Sequence, residues 1–188
     1  AKAGTIFKEP SWVEQAQTAF AFVSQHMVNE ARLARSWAKG EARHNAVLDD
    51  LAHMSRAALY LYETTGDDTY MAQCEAWVHP ANNLFSYTDD GAFCLSARDV
   101  DDVITRSRLA SDNVTPSGNG SMATALARLY LITGQDAYRA RANATIDAFT
   151  SGQADAIANM PSLMGAYELL AHGAQVVIAE QDGQGSDL

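Results

Sequence analysis

Two stretches of the chain repeat one another. Residues 58–78, ALYLYETTGDDTYMAQCEAWV, are echoed by residues 125–145, ALARLYLITGQDAYRARANAT. Thr65-Gly66 with Tyr70 recurs as Thr133-Gly134 with Tyr138, an offset of 68 residues in each case (133−65 and 138−70). An earlier echo, GTIFKEPSWVEQA, brings Trp12 to the place of the aromatic. Each unit reads as helix, glycine-bearing turn, helix, with an aromatic clamping the start of the second helix. A helical hairpin cannot bury its apolar face alone, so recurring hairpins predict an array, either a solenoid or a closed ring.

Apolar periodicity extends this pattern. Trp12, Val13, Ala16, Phe20, Val23 and Met27 share a face of a helix over 11–28, and Leu48, Leu51, Ser55, Ala58, Leu59 and Tyr62 do so over 48–64. Further helices are predicted over 67–79, 119–132, 135–150 and 160–172. Alanines among the apolar positions suit close helix–helix packing. Two stretches break the period: 32–46, with a K-G turn, and 84–97, with a D-D-G turn, read as short hairpins or extended loops. QVVIA (175–179) reads as a single strand and the residues after it as a frayed tail. The expectation is an all-α fold: about three helical hairpins of an α/α toroid over 1–174, with short β-hairpin excursions, then a strand and tail over 175–188.

Charge narrows the partners. Thirteen basic against twenty-three acidic residues give a net charge of −10, which repels phosphate backbones and anionic lipid; nucleic acid and membrane are not expected as partners. No apolar run of about 18 residues is present. Cys74 and Cys94 show neither a C-x-x-C pair nor metal-ligand spacing; Cys74 falls on an apolar helical series and is expected to pack, and a reducing, cytoplasmic setting is expected. The histidines show no ligand spacing, so neither a metal nor another cofactor is expected. The opening AKAGTIF, without a methionine, suggests a processed or excised chain.

Several motifs then occur in a telling order. Leu48-Asp49-Asp50 follows the Trp37-x-x-Gly40 hairpin; DDGAF (89–93) and TRSRLASDNVTPSGNGSMA (105–123) follow, then the T-G turn. In these the chain resembles, over roughly residues 1–180, the C-terminal half of the thioredoxin-domain proteins of the spermatogenesis-associated type. The resemblance implies an α/α toroid of the six-hairpin glycosidase class, related in fold to N-acylglucosamine 2-epimerases, and a thioredoxin-like domain in the full-length parent. This chain departs from that pattern in three places. It holds no redox cysteine motif; Leu51 and His53 stand where the family shows an aromatic; and Asp112-Asn113-Val114 stands where the family favours D-G-A. Six hairpins with their loops need well over about 300 residues. The chain therefore reads as a piece, or a truncated homologue, of such a toroid. Its open edge suggests a homodimer that completes the ring.

In such a toroid the loops at the start of the inner helices line the pocket. Asp49 and Asp50 open one candidate inner helix, either as favourable charge at its N-terminus or with one of them facing the cavity. Together with Asp112 they are the candidate acid–base carboxylates, since paired carboxylates cleave glycosides when one stays protonated while the other ionises. Segment 112–121 precedes the other inner helix. Ser117 or Asn119 caps it, and the glycine-rich backbone either serves that cap alone or also lines a pocket for a sugar hydroxyl, carboxylate or phosphate. Arg106 is the candidate for clamping substrate or pairing with Asp112. His44 is the one histidine expected near a pocket, and Trp37 is a candidate for stacking on a sugar ring. The expected function is carbohydrate processing on a small carbohydrate ligand, by epimerase/isomerase or glycoside-hydrolase chemistry. The alternative is a non-catalytic toroid that binds a sugar or peptide or docks another domain, inactive as this piece.

Overall fold

The computed structural model describes residues 1–30, 32–87, 90–101, 103–151 and 154–176. Among them are the helices α1 (Lys2–Ile6), α2 (Pro10–His26), α3 (Leu48–Thr65), α4 (Asp68–Pro80), α5 (Gly118–Thr133), α6 (Asp136–Thr150) and α7 (Pro161–His172). Three short antiparallel strands, β1 (Val28–Asn29), β2 (Arg32–Ala38) and β3 (Glu41–Asn45), lie between α2 and α3. The chain is thus all-α, built of helical hairpins with a short β excursion.

Local chemistry sets the helix boundaries. Pro10 opens α2 at the position where a missing N–H costs nothing. Asp67 caps α4 by accepting from Thr69 N at 2.9 Å, and Ser117 caps α5 by accepting from Gly120 N at 3.2 Å. α3 and α5 end identically. Gly66 and Gly134 adopt left-handed φ of 69° and 71° and return their N–H groups to Tyr62 and Tyr130. Thr65 and Thr133 donate to Leu61 O and Leu129 O at 2.7 Å and accept from the backbone N–H two residues on, of Asp67 and Gln135.

The repeated tyrosines tie the hairpins together. Gln17 of α2 donates to the Tyr70 hydroxyl at 3.2 Å, and the Tyr70 ring meets Phe20 edge-on at 5.6 Å. Tyr138 donates to Glu75 of α4 at 2.6 Å; burial first, then the Glu75 carboxylate, pushes its hydroxyl pKa far up. The aromatic of each unit therefore links its helix to the outer helix of the unit before.

Packing gives two layers. α3 packs on α4 and α5, and α5 on α6 and α7, with α2 against α3. The inner helices α3 and α5 run parallel and in register: Asp49 lies against Gly118, Arg56 bonds Ser121, and Glu63 pairs with Arg128. α7 begins at the same end, where Ser162 lies against Gly120. Leu59, Cys74, Phe93, Met122, Leu126 and Leu129, all fully buried, fill the space between the layers. Cys74 and Cys94 are free and buried, and burial raises both thiols, Cys74 to about 12. Neither is a ready nucleophile.

The two excursions differ. β2 and β3 pair from Ala34↔Asn45 to Ala38↔Glu41 around Lys39 and Gly40, both at positive φ, as a two-residue hairpin turn requires. In 84–97, Leu84 and Phe85 end the π-helical turn Ala81–Phe85, the bridge Ser86↔Phe93 is the one strand-like pairing among the described residues, and Thr88 and Asp89 lie outside them. Of the strand expected at 175–179, Gln175 and Val176 have no regular structure and the rest lies outside the described residues, as does the tail. No helix among the described residues is long and apolar enough to cross a membrane.

Candidate active site

The starts of the inner helices α3 and α5 converge on one cleft of about 200 Å³. Leu48 and Asp49 of α3, Leu95, and the run from Thr115 to Asn119 form its wall. Close approach explains the glycines of this run. A Cβ on Gly118 would stand 2.2 Å from Asp49 Oδ1, and one on Gly120 would stand 2.0 Å from Ser162 Oγ. A side chain at Gly120, where Leu163 N would also stand 2.9 Å away, would push α7 off α5, and one at Gly118 would displace the Asp49 carboxylate.

Most polar groups of the α5 start are already bonded. The buried Asn119 side chain accepts from Phe93 N at 2.9 Å and donates to Phe93 O at 3.0 Å and Leu109 O at 2.8 Å. It thereby pairs with the second excursion as a neighbouring strand would. Ser117 Oγ donates to Ala110 O at 2.9 Å while capping α5. Asp112 accepts from Ser117 N at 2.8 Å, Ser162 N at 2.7 Å and Ser162 Oγ at 2.5 Å, so one carboxylate fastens the N-termini of α5 and α7. Burial works to raise the Asp112 pKa. The bonds from Ser162 and Ser117 outweigh it and hold the carboxyl below its ordinary range.

The paired aspartates of α3 have different surroundings. Asp50 accepts from Val47 N at 2.9 Å, the reciprocal half of a capping box. Burial raises its pKa against the pull of that N–H and of Arg35. Asp49, one residue earlier and rotated by about 100°, lines the cleft, and no donor among the described residues bonds its carboxylate.

The remaining candidates stand elsewhere. Arg106 donates to Ser96 O at 3.0 Å and Leu84 O at 3.1 Å, clamping the second excursion; the Asp112 partners are serines, not this arginine. Trp37 packs from β2 onto α2, edge-on to Phe22 at 5.4 Å and 5.9 Å from His26. His44 faces a separate hollow with Val47, Ser96 and Ala97. A larger apolar groove of about 380 Å³ runs between α2 and α3, with Lys2 and Tyr60 in its lining, and holds none of the candidate carboxylates. Among the described residues no three His, Cys, Asp or Glu side chains are grouped to hold a metal ion.

Sequence reasoning missed His53. Its Nε2 donates to Pro116 O at 3.2 Å, so it braces the cleft wall one turn beyond Asp49. The signal was available, because Asp49, His53, Arg56, Tyr60 and Glu63 are spaced i, i+4, i+7, i+11, i+14 and form one narrow polar stripe on α3.

A helical-hairpin array whose inner helices begin at a carboxylate-bearing cleft is an arrangement suited to sugar chemistry, and comparison with known families agrees. The profile of glycosyl hydrolase family 76 matches residues 2–165. The chain belongs to that family. This places it in the six-hairpin glycosidase-like superfamily. It is also similar to the uncharacterized protein B0495.5 of Caenorhabditis elegans, at 27% identity over 150 residues, which is 76% of this chain and 20% of that protein. The chain thus spans about a fifth of the length of that relative.

Proposed function

We propose that this family 76 chain acts on glycosidic bonds at the cleft between the starts of α3 and α5, with Asp49 and Asp50 as its carboxylates. The observation that carries the reading is the division of labour between them. Asp49 faces the cleft with no hydrogen-bond donor among the described residues, free to meet a substrate. Asp50 follows it on α3, and burial raises its pKa, the direction that a proton-donating carboxyl needs. In glycoside hydrolysis the protonated group delivers its proton to the leaving oxygen while the ionised one activates water or attacks the sugar carbon. Asp112, Ser117 and Asn119 are positioning residues in this reading, because their polar atoms hold α5, α7 and the second excursion in place. His53 keeps the Pro116 carbonyl, and with it the cleft wall, at a fixed distance from α3.

A second reading is binding without turnover. One oxygen of Asp50 is engaged by the Val47 N–H, which favours a purely structural role for that carboxyl. A panel of neutral and acidic oligosaccharides, assayed for new reducing ends and for binding, separates the two. Release of reducing ends that disappears in Asp49→Asn supports hydrolysis; tight binding with no release from any glycan supports the second reading.

A further inference from the structure

Seven residues beyond Asp49 on the same stripe of α3, about 10 Å along the axis, stands an arginine without a counter-ion. Among the described residues no carboxylate comes within ion-pair distance of Arg56. Its Nη1 donates to Ser121 Oγ at 3.1 Å and its Nη2 contacts the Tyr60 hydroxyl at 3.4 Å, both neutral groups, and its Nε is buried with no partner. A guanidinium carries five N–H donors, so one on each terminal nitrogen is left over.

The surroundings add positive charge. Arg128 stands over the Tyr60 ring at 4.8 Å, Arg56 at 5.9 Å and Lys2 at 5.7 Å from its centroid. Glu63 is the carboxylate at this cluster and is paired with Arg128. Among the described residues three cations thus share one anion, in a chain that carries twenty-three acidic residues against thirteen basic ones. Elsewhere among these residues Arg32, Arg43 and Arg108 each have a carboxylate, whereas Arg106 and Arg141 are held by neutral oxygens without further cations gathered around them. The positive potential is felt by the Tyr60 hydroxyl. Burial raises its pKa, but Arg56, Arg128 and Lys2 overcome that and lower it. A half-buried, unpaired guanidinium is costly to folding and is not needed to pack one helix on another.

We propose that Arg56 and Tyr60, with Arg128 and Lys2 around them, form a subsite for an anionic substituent of the glycan, a uronate carboxylate first, on a sugar unit beyond the one that faces Asp49. The planar guanidinium matches a carboxylate with its two remaining donors. Their separation from Asp49 is longer than one sugar ring, so the anion belongs to a neighbouring unit. This inference rests on the carbohydrate reading above and narrows it to acidic glycans.

The test is calorimetric titration of the chain with α- and β-linked uronate trimers, each matched to its carboxyl-reduced form, and with sulfated trimers. A uronate should bind at least ~10-fold more tightly than its neutral counterpart, as one charge-assisted contact implies. Arg56→Gln should erase the difference, Arg56→Lys should keep part of it, and both should fold, with midpoints no lower than the native one. Preference for the sulfated trimers alone, lost in Arg56→Gln, assigns the same subsite to a sulfate ester. Equal binding of acidic and neutral trimers, or an acidic preference untouched in Arg56→Gln, overturns the subsite and leaves the carbohydrate reading standing. Absence of binding by every trimer overturns both. Should Arg56→Gln fail to fold, Arg128→Gln and the native comparison of matched trimers decide.

Discussion

The starts of α3 and α5 lie side by side at one end of the same inner layer, yet they use polar residues in opposite ways. At α5, Asp112, Ser117 and Asn119 direct their oxygens and nitrogens at the backbone of three other segments, and two glycines make room for the neighbouring helices. At α3, Asp50 caps the helix while Asp49 is left facing the cleft with no donor. The denser polar motif is therefore architecture, and the plainer pair carries the open group. A satisfied polar atom stabilises and is unavailable, whereas an unsatisfied one at a cleft is available at some cost to stability.

Substitutions at the two helix starts should break along this line. Asn119→Ala is expected to be the most damaging, because it leaves Phe93 N and Phe93 O buried without partners and removes the bond to Leu109 O; at about 1–3 kcal/mol for each buried group, denaturant unfolding should show a loss of at least ~2 kcal/mol or no folded protein. Next is Gly120→Ala. Its Cβ would collide with Ser162 Oγ, and overpacking of this kind costs about 1–3 kcal/mol, visible as a lowered unfolding midpoint.

Asp112→Asn should cost about 1–2 kcal/mol at neutral pH, discounted because the group is only partly buried. Its pH dependence is diagnostic. A carboxyl held below its ordinary value stabilises the fold above that value and loses the contribution as pH falls through the folded pKa. The native chain should therefore weaken on acidification below about pH 4, and the variant should weaken less there.

Asp50→Asn should change stability least among these, within about 0.5 kcal/mol, since an amide oxygen can still accept from Val47 N. The sign runs the other way. A raised carboxyl pKa favours folding where the group is protonated and that contribution is lost as pH rises through the folded pKa. At neutral pH the variant should be as stable as the native chain or slightly more so, with the gap closing in acid. Turnover, by contrast, should fall about 10²-fold or more, the usual contribution of an acid–base group.

The helices were legible in the sequence because period, caps and turns agree. The Thr-Gly turns specify one geometry twice, Asp67 and Ser117 mark starts that the hydrogen bonds repeat, and Pro10 stands in the first turn of α2. Residues 84–97 were harder. Their single bridge depends on Asn119, 26 residues away from Phe93, and no local pattern announces such a contact. Arg106 follows the same rule, since its backbone partners belong to that excursion. The polar stripe of α3 was present in the spacing but resembles any solvated helix face. What sets an inner helix apart is how narrow the stripe is, with Ala52, Ser55, Ala58 and Leu59 buried around it. His53 and Arg56 acquire meaning only once Pro116 and Ser121 of the neighbouring segment are placed against them.

The most direct measurement of the central claim is made on Asp49→Asn: reducing-end release from the glycan panel and the unfolding midpoint, on one sample beside the native chain. The account predicts an unchanged midpoint, because Asp49 has no hydrogen-bond donor to lose, together with a fall in release of about 10³-fold. Undiminished release, or a midpoint that drops as far as that of Asn119→Ala, would contradict it.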